Sequence, residues 1–221
     1  IAKTYLGCGV HSSFENYQDV EVTIFDGPCP AGNVGVQVNH LNPVNKGEVV
    51  WTVEPTTVLF IGRLFNTGKV NLTRTIALCG SEVNAPAYAD MLVGEELATL
   101  LSNSYDADHH VRIINGNVLT GKPTTKEGFL GAHTSEITVI PEGDDADEFA
   151  GWIMPRFRQF SVNRSYFSWF CGKKKKYALD ARVKGGERHM IMSGEYDKVL
   201  PMDIYGEYLI KAIITGDIDR P

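Results

Sequence analysis

A long apolar run is the first feature that this 221-residue sequence lacks. Its apolar stretches are short, such as residues 58–61, whereas a membrane-spanning helix needs roughly 20 consecutive apolar residues. We therefore expect no segment to cross a bilayer. The chain begins with Ile-Ala-Lys and shows neither an initiator Met nor a basic-then-apolar leader. We interpret it as a piece of a longer protein and not as a secretory precursor.

Cysteine is scarce, and the four that occur, Cys8, Cys29, Cys79 and Cys171, are far apart. No two of them stand in a C-x-x-C arrangement, and their spacing does not match a zinc or iron–sulfur ligand set. We interpret them as buried or unreactive thiols in a reducing compartment. Cys29, which lies between two prolines, is the thiol to test for reactivity.

The phosphate-binding motifs of nucleotide enzymes are also missing. Neither G-x-G-x-x-G nor G-x-x-x-x-G-K-[ST] occurs. Residues 26–33 (Asp-Gly-Pro-Cys-Pro-Ala-Gly-Asn) form a segment that we call the Pro/Gly loop. The valine alternation of residues 34–38 predicts a strand after this loop. Without a helix N-terminus to hold a phosphate there, we expect no dinucleotide site.

The six histidines show no recognisable catalytic or metal-ligand pattern. His109 and His110 are the one candidate pair for a metal, but adjacent side chains in a loop make a poor site, and we predict no physiological metal. Ser-His-Asp and Cys-His groups meet only in space. The sequence therefore assigns no catalytic residue.

Charge is distributed unevenly in a chain whose formal net charge is −6. Residues 156–188 contain ten Lys and Arg against two acidic residues, whereas residues 141–148 hold five acids and predict a solvated, mobile loop. The lysine run 173–176 closely follows the aromatic segment 166–170. Such a run is commonly a solubilising loop. The alternative is a surface that faces anionic lipid headgroups or an acidic partner, and the overall acidity argues against nucleic acid.

Hydrophobic periodicity predicts an α+β chain. The predicted strands are residues 4–10, 20–25, 34–38, 74–80, 111–121 (running into a turn) and 135–140. The predicted helices are residues 54–68, a short one from residue 94 and residues 201–218. The order of strand, short helix and two further strands within residues 71–145 is that of a β-grasp module.

Two of these helices carry more detailed predictions. In the first, Pro55 suits the opening turn and Gly68 the position just past the end. Its packing face is predicted to be Val58, Leu59, Gly62 and Phe65. In the last, Asp203 is the predicted N-cap and Gly216 the terminator. Its apolar residues Ile204, Tyr208, Leu209, Ala212 and Ile213 are predicted to share one face.

Short motifs spread over nearly the whole chain resemble one family in the same order. They are Gly27-Pro28, PAGNVG (30–35), LNPV (41–44), VWT (50–52), LFNTG (64–68), GWIMP (151–155), FSV (160–162), GGER (185–188), PMDI (201–204) and GD (216–217). Together they resemble the A subunits of the sodium-translocating NADH:quinone oxidoreductases, which are bacterial respiratory pumps. A chance likeness in one loop would not extend over the chain in this way.

The resemblance implies a role in a membrane complex that moves electrons from NADH to quinone and exports sodium. In that family, the A subunit is peripheral, faces the cytoplasm at the inner membrane and packs on the membrane-embedded B subunit near the quinone site. The flavins and the 2Fe–2S centre belong to other subunits, so the resemblance implies that this chain carries no cofactor and that quinone is a substrate of the complex.

The resemblance also implies a domain organisation. Residues 1–70 would be the tail of a Rossmann-like domain, similar in fold to the NADH-binding flavoprotein subunit of complex I. Residues 71–145 would form a soluble-ligand-binding β-grasp domain, and residues 146–221 a family-specific region with a C-terminal helix. The family's N-terminal region and its C-terminal helical domain would lie outside this chain.

Two departures from the family pattern limit what the resemblance implies about residues. Many relatives have His where this chain has Cys29, and many have two histidines where it has Gln37 and Asn39, with His40 just beyond. A role for those histidines in quinone protonation therefore does not transfer. No catalytic, cofactor-binding or metal-binding residue is predicted.

Two sets of contact residues are predicted instead. A quinone-facing or partner-facing element comprises Phe25, Pro28, Cys29, Pro30, Gly32, Asn33, Gly35 and His40. A contact with the membrane or with another subunit comprises Arg156, Arg158, Trp169, Lys173, Lys174, Lys175 and Lys176. The alternative functions are a stand-alone small-ligand-binding β-grasp module and, last, a vestigial nucleotide-binding enzyme.

Overall fold

The structure is a computed structural model that describes residues 3–27, 30–144, 153–160, 164, 166–172, 174–182, 189, 193–198, 200–217 and 219. The chain divides into two compact units. One unit comprises Ile1–Glu54 and Glu187–Pro221, and the other comprises Pro55–Gly186.

The described elements alternate between strands and helices. The strands are β1 (Tyr5–Gly9), β2 (Glu21–Phe25), β3 (Thr73–Cys79), β4 (Ala87–Leu92), β5 (Val111–Asn115), β6 (Lys122–Thr124) and β7 (Glu136–Pro141). The helices are α1 (Val34–Leu41), α2 (Pro55–Thr67), α3 (Ala98–Leu101) and α4 (Gly206–Thr215), with a short 3-10 helix at Phe167–Cys171. The predicted α+β class is confirmed.

In the first unit, β1 and β2 pair in parallel, from Tyr5 opposite Glu21 to Gly9 opposite Phe25. Helix α1 lies against β1. A Cβ atom on Gly7 would come 2.4 Å from Gln37 Oε1, so glycine permits this close approach. At the edge of the pair, a hydrogen bond to Glu21 raises the pKa of Lys3 above its ordinary value.

Helix α1 corrects one prediction, because residues 34–38 are helical and not a strand. Asn33 has an extended backbone and its side chain accepts a hydrogen bond from Gly35 N at 3.0 Å, which is an N-cap. Gln37 Nε2 also donates to Ala31 O at 3.2 Å. This cap and these contacts outweigh the strand preference of alternating valines. The expectation that no helix N-terminus follows the Pro/Gly loop is therefore wrong.

The second unit contains a five-stranded mixed sheet in the order β4-β3-β7-β5-β6. Strands β3 and β7 are parallel, and the other neighbouring pairs are antiparallel. The strands predicted around β3, β5 and β7 and the short helix α3 are confirmed, whereas β4 and β6 were not predicted. This arrangement agrees with a β-grasp-like region.

One face of this sheet forms the main hydrophobic core. The largest fully buried apolar side chains come from the sheet and from the segment that includes α3. They are Ile76, Leu97, Leu101, Ile137 and Val139. Gly80, at the end of β3, adopts φ +124°, and a Cβ there would lie 1.9 Å from Val139 O. Only glycine lets the backbone pass β7 at this point.

Helix α2 begins at Pro55 as predicted, and Gly68, with φ +69°, follows its last residue. The predicted packing face is wrong, because none of its described residues is buried and Phe65 is 83% exposed. A Cβ on Gly62 would meet nothing within 4 Å. The apolar face is present in the sequence, but no other described element covers it in this chain.

Helix α4 begins later than predicted. Its N-cap position is Tyr205, not Asp203, because Gly206 N donates to Ile204 O and holds the preceding residues in a tight turn. Glu207 is buried and accepts hydrogen bonds from Ser193 N and Gly194 N. The residues predicted to share one face of this helix are only partly covered, and one of them does not belong to it. Ile204 lies outside the helix and both Tyr208 and Ile213 are exposed, although Leu209 and Ala212 are half-buried and Gly216 ends the helix.

The acidic segment 141–148 is less solvated than predicted where the structure describes it. Glu142 pairs with Arg112 and Asp144 with His110. Residues 145–148 lie outside the described residues. In the part of the chain that is described, no helix has both the length and the apolar character to cross a membrane.

Candidate functional site

An exposed cluster of aromatic rings lies in the segment that carries the predicted contact residues. Phe167 contacts Phe157 and Phe170, with ring centroids 6.0 and 6.2 Å apart, and Trp169 stacks on Phe170 at 3.7 Å. Phe160 and Tyr177 form a further edge contact at 5.6 Å. Phe170 is 67% exposed. We call residues 156–160, 166–170 and 174–177 the basic aromatic surface.

Hydrogen bonds hold the three segments of this surface together. Phe167 N donates to Pro155 O at 3.0 Å, and Tyr177 Oη donates to Ser168 O at 3.2 Å. Lys175 Nζ donates to Phe157 O. Ser168 is fully buried. The aromatic side chains are therefore exposed, while these hydrogen bonds hold their backbone in place.

Cationic side chains alternate with these rings. Arg156 lies over the Tyr166 ring at 5.2 Å, and Lys175 lies over the Tyr177 ring at 5.4 Å. Arg158, Lys174 and Lys176 are exposed. The sequence has no Asp or Glu from residue 149 to residue 179, so this stretch carries a local excess of positive charge. Lys173 lies outside the described residues.

The structure thus brings several predicted residues together through ring contacts. Trp169 reaches Lys175 through Phe170, Phe167 and Phe157 in turn, while Arg156 joins by its Tyr166 contact. These are the properties of a docking surface: exposed aromatics, excess positive charge and a fixed backbone.

The residues of the predicted quinone-facing or partner-facing element belong to the other unit. Phe25 and Pro30 are half-buried, and the exposed members are Gly32, Asn33, Gly35 and His40. Pro28 and Cys29 lie outside the described residues. The Asn33 side chain is engaged as the N-cap of α1, and His40 stands in the last turn of that helix. The loop therefore has a structural role in starting α1, whether or not it binds a partner.

The histidine pair is occupied by carboxylates. His110 Nδ1 lies 2.5 Å from Asp144 Oδ2, and His109 Nδ1 lies 3.3 Å from Glu82 Oε2. Among the residues that the structure describes, no group of three or more His, Cys, Asp or Glu is placed to hold a metal ion. Of the described cysteines, Cys8 is buried, Cys79 is half-buried and Cys171 is exposed, and all three are free thiols.

A cavity on the second face of the five-stranded sheet was not predicted from the sequence. Ile114 and Ile140 are buried there, away from the main core. The signal was present in the consecutive apolar residues of β5 and β7, because a strand with one solvated face alternates apolar and polar residues.

Comparisons with known proteins agree on one family. The family model described as "NqrA second alpha/beta domain" matches residues 4–70, and the model described as "NQRA C-terminal domain" matches residues 75–126. Together they match more than half of the chain.

Curated relatives give the same result over a longer span. The A subunit of the Na(+)-translocating NADH-quinone reductase of Neisseria meningitidis serogroup A is 37% identical over 207 residues, which is 93% of this chain and 45% of the relative. The proteins of the same name from Rhodopirellula baltica and Haemophilus influenzae are 36% and 34% identical over 90% and 91% of this chain, and each is covered over 44% of its length. The chain therefore spans less than half the length of these relatives.

Proposed function

Because this chain belongs to the family of the A subunits of Na(+)-translocating NADH-quinone reductases, we propose that it is part of such a subunit. The complex would couple NADH oxidation and quinone reduction to sodium export. The single observation that carries this proposal is the match over 93% of the chain to relatives of that name. Within the complex the subunit would be peripheral, on the cytoplasmic face of the bacterial inner membrane.

The division of labour in the proposed complex leaves the redox groups to other subunits. In this proposal the flavins and the 2Fe–2S centre lie elsewhere, and the chain shapes the quinone end of the complex without a cofactor of its own. The Pro/Gly loop is the proposed quinone-facing or partner-facing element, because a stiff loop loses little conformational entropy on binding.

The basic aromatic surface is the proposed contact with the membrane-embedded B subunit. Exposed Trp and Phe side chains supply large contact areas, and buried aromatics are the usual energetic centres of protein interfaces. The surrounding Arg and Lys side chains would guide docking to an acidic face of the partner. Trp169 and Phe170, which stack on each other, would be the centre of this contact.

The test is the assembly of the full-length protein, co-expressed with the rest of its complex. Replacing Lys173, Lys174, Lys175 and Lys176 by Gln removes four charges, and we expect a several-fold lower yield of complex in purified membranes. The matched control replaces four exposed residues, Lys46, Lys69, Lys122 and Lys198, by Gln. It removes the same number of charges elsewhere in the chain. Equal yields of complex from both variants would contradict the proposed contact.

Two further readouts separate the parts of the proposal. A lysine-reactive crosslinker should join the lysine run to the B subunit, whereas loss of binding to anionic vesicles with unchanged complex yield would assign the surface to lipid. A photoreactive quinone should label the Pro/Gly loop or His40. Labelling elsewhere would reduce the loop to a turn that starts α1.

A further inference from the structure

The five-stranded sheet buries apolar side chains on both faces. Successive side chains of a strand point to opposite faces, so Ile113 and Val139 reach the main core while Ile114 and Ile140 lie on the second face. These two side chains are only 6% and 7% exposed. The second face is therefore covered by other residues of the same unit.

A cavity of about 390 Å³ lies between this face and its cover. Ile114 and Ile140 line it from the sheet, and the other apolar contributors are Val118, Leu119, Phe160 and Leu179. Ala181 N donates to Pro141 O at 3.0 Å, which fixes the covering segment to the end of β7. Ligand sites in proteins are commonly cavities of about 300–1,000 Å³ that are lined mainly by apolar groups.

The charged groups of the cavity are already paired with each other. Arg112 donates to both carboxylate oxygens of Glu142, through Nε at 2.9 Å and through Nη2. Arg182 donates to Asp180 through Nε at 3.2 Å and Nη2 at 2.9 Å. A charged ligand would have to break one of these pairs or enter without a counter-charge, so the site suits an uncharged molecule.

Arg112, which lines the cavity, retains an unused donor group. Arg112 uses Nε and Nη2 for Glu142, and its Nη1 group makes no hydrogen bond within the described residues. A guanidinium group donates but does not accept, so its complement on a ligand is an acceptor oxygen.

We propose that this cavity binds a small, uncharged, mainly apolar molecule that carries a carbonyl-type oxygen, with the oxygen at Arg112. The apolar part packs against Ile114, Ile140 and Phe160. This site takes Gln159 and Phe160 from the first segment of the basic aromatic surface but uses neither its lysines nor the Trp169–Phe170 stack, and it holds or fails independently of the proposed function.

The probe is 6-propionyl-2-dimethylaminonaphthalene, which is neutral, apolar and has one carbonyl group. When it is titrated with the 221-residue chain, its fluorescence emission should shift to the blue in a saturable way. The dissociation constant should be on the order of 100 µM or lower. Val118→Trp fills the rim of the cavity and should weaken binding at least tenfold. Val70→Trp, the same change at an exposed position outside the cavity, should leave binding unchanged. Circular dichroism checks that both variants fold.

The carbonyl contact has its own test. The double variant Arg112→Met and Glu142→Gln removes the donor without leaving an unpaired charge, and it should weaken binding of the probe about tenfold. Binding of 2-dimethylaminonaphthalene, which lacks the carbonyl, should not change. A non-saturable titration, or full binding by Val118→Trp, would overturn the site. Tighter Val118-dependent binding of the anionic dye 1-anilinonaphthalene-8-sulfonate would overturn the uncharged ligand class.

Discussion

The five-stranded sheet and the β1–β2–α1 region differ in how many apolar side chains they bury. Twelve of the thirteen buried apolar side chains in the described residues lie between residues 76 and 140. Among the described residues of the β1–β2–α1 region Cys8 is the only one, although this region contains two strands and a helix. Regular secondary structure and a hydrophobic core are therefore separate properties of this sequence.

The difference follows from how each region is covered. The mixed sheet packs one face against α3 and its flanking residues, and it carries a second apolar cover on the other face. Parallel strands such as β1 and β2 usually need layers on both faces, but Cys8 is the one buried apolar side chain that their described residues contain. Because helices gain most of their stability from packing, we expect the sheet to be the stable centre of this chain.

The largest expected effect is in the core of the sheet. Ile137→Ala removes a fully buried side chain from β7 and should lower the free energy of unfolding by about 2–5 kcal/mol. Cys8→Ala, at the buried position of the β1–β2 region, should cost about 1 kcal/mol because it removes little more than one methylene equivalent. Urea unfolding of both variants, followed by circular dichroism, measures the difference. Equal costs would break the comparison between the two regions.

A smaller effect distinguishes two glycines that both permit a close approach. Gly80→Ala should cost about 2–3 kcal/mol, because its φ is +124° and the added Cβ meets the β7 backbone at Val139. Gly7→Ala should cost under about 1 kcal/mol, since the atom that it meets is the end of the flexible Gln37 side chain. Thermal unfolding compares the two variants. A greater loss at Gly7 would show that α1 is held on β1 more rigidly than the end of β3 is held on β7.

The smallest expected effect is at the cap of α1. Asn33→Ala removes the acceptor for Gly35 N and should destabilise the helix by about 0.5–2 kcal/mol. Asn33→Asp keeps an acceptor and serves as the control. Hydrogen exchange of the amides in Val34–Leu41 should accelerate only in the alanine variant. If both variants exchange like the parent chain, the cap does not determine this helix.

Local signals predicted much of the fold correctly. Pro55 and Gly68 marked the ends of α2, Gly216 ended α4, and apolar runs located β3, β5 and β7. These signals work because proline, glycine and consecutive β-branched residues restrict the backbone at their own positions. The same reasoning failed at Val34, where the Asn33 cap and the contact of Gln37 with Ala31 start a helix, and at Asp203, where a tight turn between Ile204 and Gly206 delays the start of α4. Strand β6 has only three residues and is specified by pairing with β5 more than by its own pattern.

The candidate site was only partly visible in the sequence. The concentration of Lys, Arg and aromatic residues between residues 156 and 177 could be read directly, since charge and side-chain type do not depend on the fold. The ring contacts, the buried Ser168 and the cavity could not, because they require segments that are separated along the chain to meet.

By itself, the sequence determined the family, the α+β class and the position of the positive charge, because each is a property of residue identity and order. The tertiary structure alone decided that α2 exposes its apolar face and that Ile114 of β5 and Ile140 of β7 line a cavity. Those outcomes depend on which surfaces meet, and burial free energy depends on the neighbour as much as on the residue.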